Sequence, residues 1–193
     1  MEYLNLSEEL WSKRVCEPEE IRHIVDSRFK SLVNDIMYSM VPSRLYEMRG
    51  GTLLSLAKPK LAYGTIGVTM AIKNLFGMIP TPYRGKFHGR NDSLLNDSIM
   101  DICKICHSVF NVSGIIEAIF STPAADELLL KSKIYRDLGF VWGAKSIFEL
   151  DVLIAIQMGF DIKDVRHLAL AAQTFGYLPQ KIIEVAKKHP VRL

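Results

Sequence analysis

Glycine and proline cut this chain into pieces of two lengths, and that punctuation limits the fold more than any other feature. Gly50-Gly51 and Lys58-Pro59-Lys60 bracket the apolar run Thr52–Ala57, which is of strand length. Proline cannot continue a central strand, so this one is expected to end at Lys58. Val109–Ile119, with its Val, Ile and Phe, reads as a buried strand, and Leu138–Trp142 as another. Elsewhere the apolar residues recur at helical spacing. Glu17–Met40 carries one stripe of Ile21, Ile24, Val25, Phe29, Leu32, Val33, Ile36 and Met37, with Pro18 suited to its first turn. Ser7 is expected to cap a short helix to Arg14. Further helices are expected over Asp92–Cys106, Thr122–Lys131, Ser146–Met158 and Ile162–Phe175, and from Pro179 to Lys188. Strands alternating with helices predict the α/β class, a small, mostly parallel sheet flanked by helices. The length suits a single domain: a helical N-terminal segment (1–48), an α/β core (49–144) and a helical C-terminal segment (145–193).

Charge is distributed unevenly. The net charge of +3 is too small to name a partner. Between Arg49 and Asn91, however, there are seven basic residues and no acidic one, against 17 basic and 21 acidic elsewhere. The most membrane-like window, Leu61–Pro80, holds Lys73 in its interior, which is costly at mid-bilayer, so no membrane span is expected. The first residues lack a basic start followed by an apolar stretch, so no secretory signal is expected. With three cysteines, the expected compartment is the cytoplasm.

The acid-free stretch contains the candidate site. A strand leads into a turn with Lys58 and Lys60, and a helix is expected over Thr65–Phe76. Ligands of open α/β sheets sit beyond the carboxyl ends of strands, and a helix start attracts anions through its free N–H groups. Gly64 and Gly67 would admit a ligand close to the backbone. In that helix Thr65, Thr69 and Lys73 would share one face, with Asn74 beside them. The basic loop after Pro80 adds Arg84 and His88. The expected ligand is a small anion, such as a phosphate- or carboxylate-bearing metabolite. In an enzyme, Lys73 would stabilise charge and His88 would transfer a proton. The phosphate-loop pattern GxxxxGK[ST] is absent.

Other constellations carry less. Cys103-Lys104-Ile105-Cys106-His107 spells the haem-attachment pattern, but it lies on an apolar helix where core cysteines are common, so no metal or haem is assigned. Asp97 and Asp101, four apart, are expected to face solvent. The C-terminal helices admit a helix-turn-helix reading, yet their basic footprint is weak and nucleic acid is not an expected partner.

Lys58-Pro59-Lys60-Leu61, the run Gly67-Val68-Thr69-Met70-Ala71-Ile72-Lys73-Asn74-Leu75-Phe76-Gly77 and His88 together resemble the signature of domain-of-unknown-function family 362. That signature reads approximately PKLKTH, a gap, GVTxAxKNLFG and a later histidine. Val112–Ile119 and Leu150-Asp151-Val152 extend the resemblance, which spans roughly Gly51–Gly176. The resemblance implies an α/β domain, sometimes associated with iron–sulfur segments, and names no activity or cofactor. It implies Lys60, Thr69, Lys73, Asn74, His88 and Asp151 as site residues. It also implies an alternative role as a non-catalytic subunit or partner of an iron–sulfur redox protein. This chain departs from the pattern at Ala62-Tyr63-Gly64, where the family has Lys-Thr-His. It departs again at Ser113-Gly114, where the family has Asp-Gly, and residues 1–50 lack the family's N-terminal strand. It therefore resembles a shortened or divergent member.

Overall fold

The structure is a computed structural model that describes residues 2–62, 67–81, 83–121 and 135–191. Its helices are α1 (Leu6–Trp11), α2 (Pro18–Asp26), α3 (Ser43–Glu47), α4 (Ala71–Asn74), α5 (Leu95–Val109), α6 (Ile147–Gln157), α7 (Arg166–Phe175) and α8 (Gln180–Lys188). Its strands are β1 (Thr52–Ala57), β2 (Lys60–Ala62), β3 (Gly67–Thr69), β4 (Asn111–Ser121) and β5 (Tyr135–Ala144). Contacts group these elements into two compact units. One is Met1–Leu53 with Leu75–Asn111; the other is Leu54–Asn74 with Val112–Leu193.

The first unit is built around α5, which buries residues on nearly every side, from Leu95 to Val109. α2 packs against it through Ile21 and Val25, both fully buried. The helix expected to reach Met40 ends instead at Asp26, and a 3-10 helix occupies Asp35–Met40. The reason lies on α5. Asp101 is fully buried and accepts from the N–H of Val33 at 3.0 Å, the N–H of Asn34 at 2.8 Å and the Asn34 amide at 2.9 Å. Those N–H groups cannot also serve a helix ladder. Lys104, 3.5 Å away, balances the charge. Asp101 is thus a loop anchor, not the solvent-facing carboxylate expected. At the N-terminus, Asn5 rather than Ser7 caps α1.

The second unit holds a three-stranded sheet of order β1-β4-β5 and a separate β2-β3 hairpin. β5 runs antiparallel to β4, from Gly114 opposite Ala144 to Ser121 opposite Tyr135, with an irregularity between Ala118 and Phe120. The sheet is small and mixed, not mostly parallel as the alternation of elements implied. β4 carries the reason in its own pattern. Val112, Gly114, Ile116 and Ala118 are buried while Ile115 and Ile119 are exposed, the one-sided burial of antiparallel strands rather than the two-sided burial of parallel ones. α6 buries Ile147, Phe148, Leu150, Val152, Ile154 and Ala155 and packs on α4, α7, α8 and β5. Ser146 caps it, its hydroxyl accepting from the Glu149 N–H at 3.2 Å. The N- and C-terminal segments are helical, as expected. The helix expected over Thr122–Lys131 lies outside the described residues. Among the described residues, no helix is long and apolar enough to cross a membrane.

Candidate functional site

The candidate residues begin at β1. Alternation turns Ser55 inward, where it is buried, and Leu54 and Leu56 outward. After the Lys58-Pro59 turn the chain re-enters a ladder: Lys60 lies opposite Thr69, Leu61 opposite Val68 and Ala62 opposite Gly67. The helix expected from Thr65 therefore starts only at Ala71. Gly67, at φ +71°, and the β-branched pair Val68-Thr69 favour the hairpin over a helix. Thr69 is thus a strand neighbour of Lys60, not a helical neighbour of Lys73. Thr65 and Gly64 lie outside the described residues.

The start of α4 is held by the protein's own carboxylate. Asp151, fully buried on α6, accepts from the N–H of Ala71 at 2.9 Å and of Ile72 at 2.8 Å. Burial pushes its pKa up to about 7, with the Ile72 and Ala71 N–H groups pulling the other way. The helix end that would attract an external anion is occupied internally. On the same short helix, the Asn74 amide donates to Ser55 Oγ at 3.0 Å and to the Leu56 carbonyl at 3.1 Å, while Ser55 Oγ donates to the Ala71 carbonyl at 3.0 Å. Asn74 ties α4 to β1. Gly114 brings β4 onto both helices: a Cβ there would come within 2.9 Å of Leu150, 3.0 Å of Ile147 and 3.3 Å of Ala71. Of the Ser113-Gly114 step, Gly114 is the residue that this packing requires.

Lys58 forms an ion pair with Glu117 of β4. Lys60 is exposed and Lys73 half-buried. Lys73 lies in the electrostatic neighbourhood of His167, a fully buried residue of α7. Burial first, and the Lys73 ammonium second, push the His167 pKa down to about 4, so the ring stays neutral. Neither of its ring nitrogens has a hydrogen-bond partner among the described residues. Sequence reasoning missed His167, a lone histidine in an apolar helix that offers no pattern. It missed Ser55 as well, although a serine in the middle of an apolar strand was a legible signal.

Two candidates belong to the first unit. Arg84 donates to the carbonyls of Ile79 and Gly77 at 3.0 Å each, closing the 3-10 turn Leu75–Met78. His88 packs edge-on to Phe76, ring centroids 5.3 Å apart, and its Nδ1 lies 2.8 Å from Asp92 Oδ1. Gly89, Asn91 and Asp92 all have positive φ, at 69°, 53° and 58°, so this dyad sits on a bent backbone. Cys103 and Cys106 are buried thiols outside any disulfide, and burial pushes Cys106 up to about 12. No group of three or more His, Cys, Asp or Glu side chains among the described residues could hold a metal.

The fold and these contacts define an α/β protein whose basic hairpin and short helix are braced from within by Asp151. The chain belongs to the family described as Domain of unknown function (DUF362), matched over residues 41–155. No curated protein and no solved structure matches it.

Proposed function

We propose that the second unit binds a small anionic ligand at the basic hairpin, through Lys60, Thr69 and Lys73. One observation carries this reading. Lys60 and Thr69 are direct cross-strand partners, and, among the described residues, Glu117 is engaged by Lys58 and Asp151 by the α4 backbone. Because Asp151 fills the helix start, the ligand's charge is met by lysine ammonium groups rather than by the helix end. Thr69 adds a hydroxyl donor. Asn74 and Asp151 support the site, and Lys58 contributes to the local field. His88 is the proposed proton-transfer group of the first unit, because Asp92 at Nδ1 orients the ring and leaves Nε2 to exchange.

Calorimetric titration with inorganic phosphate, pyrophosphate and succinate tests the binding reading. We expect one of them to bind tighter than about 1 mM, roughly 4 kcal/mol, and to weaken with salt. Lys60→Ala and Lys73→Ala should each weaken it by on the order of tenfold, the loss of one charged hydrogen bond. Failure of all three to show saturable binding, or affinities in both variants equal to that of the unmodified chain, would reject the site.

A further inference from the structure

The C-terminal helices, most of which lie beyond the family match, line an open cleft of about 690 Å³. Cavities of roughly 300–1,000 Å³ with an apolar wall and a few polar groups are the usual seats of small molecules. The cavity arises from how α6 ends. Gly159, at φ +88°, turns the chain in the left-handed conformation, and the Phe160 N–H bonds back to the Ala155 carbonyl at 2.9 Å. Phe160 and Ile156, Ala169 and Ala172 of α7, and Leu178 and Ile183 supply its apolar lining. The two alanines leave the space that larger residues would fill.

Charge at the lining narrows the occupant. Asp161 Oδ2 lies 3.3 Å from Lys163 Nζ, and the Lys187 ammonium also acts on the Asp161 carboxylate. The lining thus carries two ammonium groups, Lys163 and Lys187, and one carboxylate, Asp161, which Lys163 pairs. Gln173 adds an amide able to donate to a second carboxylate oxygen. None of Lys58, Lys60 and Lys73 lines this cavity, although Phe160 at its edge also packs beside Gly67 of the hairpin.

We propose that this cavity binds a small amphipathic carboxylate, its apolar body against Ile156, Phe160 and Ile183 and its single charged head at Lys163 and Lys187. A neutral apolar molecule would make no ion pair with these lysines, and a small hydrophilic anion would leave the apolar lining unfilled.

The full chain can be titrated with decanoate, decan-1-ol and acetate, with methyl resonances followed by NMR. Decanoate is expected to bind one to one, to shift methyl signals of Ile156, Ala172 and Ile183, and to bind at least a few-fold tighter than decan-1-ol. Acetate is expected not to shift them. Lys187→Ala should weaken decanoate by on the order of threefold to fivefold and leave decan-1-ol unchanged. Ala172→Phe should abolish binding, while Lys73→Ala should leave it intact. If Ala172→Phe does not fold, methyl mapping of the unmodified chain decides. Failure of decanoate to bind, equal affinity for decan-1-ol, or shifts confined to other residues would overturn the proposal.

Discussion

Replacing Asp151 with alanine would leave the Ala71 and Ile72 N–H groups buried without an acceptor and a small void beside α6. The expected cost is ~2–4 kcal/mol, read from denaturant unfolding. Asp151→Asn should cost less, ~1–2 kcal/mol, because one oxygen still accepts. The same substitution changes the response to pH. His167 and His107 are both held near 4, chiefly by burial, below the ordinary imidazole value of 6.5. Their stabilising effect is full above about 6.5 and is lost as pH falls towards 4, because the unfolded chain takes up those protons first. Asp151 has the opposite sign. Its pKa is raised to about 7, so its penalty is absent below about 4 and grows as pH rises to 7. With each group worth about 1.4 kcal/mol per pH unit, two histidines against one aspartate leave a net loss on acidification. Between pH 4.5 and 6.5, Asp151→Asn should therefore lose stability about twice as steeply as the unmodified chain. Unfolding free energies measured across that window check this, and parallel slopes would contradict it.

Among the elements, the β4 approach to α4 and α6 is the tightest sequence-specific requirement. Gly114→Ala should destabilise the chain by about 1–3 kcal/mol through overpacking against Leu150 and Ile147, measurable as a lowered melting temperature. Strand β1 was legible residue for residue, because its flanking glycines and Pro59 leave no other length. Helix α6 was legible too, from Ser146 and its continuous apolar run. The misreadings have one cause: local pattern does not report a distant partner. Val68 and Thr69 sit in an apolar run that suits a helix by length, yet Lys60 and Leu61 recruit them into a hairpin. Loop 33–34 fits a helical stripe, yet Asp101, 67 positions later, captures its N–H groups. The candidate site shows the same limit. Asp151 was indicated by resemblance to the family signature, but its role as an internal cap on α4 required the fold. The direction of β5 had no signal in composition at all.

At the scale of the whole chain, both units are assembled from separated stretches, so the polypeptide passes from one to the other after Leu53, after Asn74 and after Asn111. The piece Leu54–Asn74 supplies Val68, Met70, Ala71 and Ile72 to the interior of the second unit. A fragment ending at residue 111 contains every part of the first unit but leaves this piece without Asp151 and Gly114, its partners on α6 and β4. We expect that fragment to bind an apolar fluorescent dye and aggregate. The same fragment with residues 54–74 replaced by a glycine-serine linker should melt cooperatively and ignore the dye. Cooperative, dye-free melting of the unaltered fragment would contradict this. The threading also sets a timetable for synthesis. The hairpin and α4 leave the ribosome before α6 and must wait, uncovered, until it emerges. For that interval the segment that carries the basic hairpin is the part of the nascent chain most in need of a chaperone.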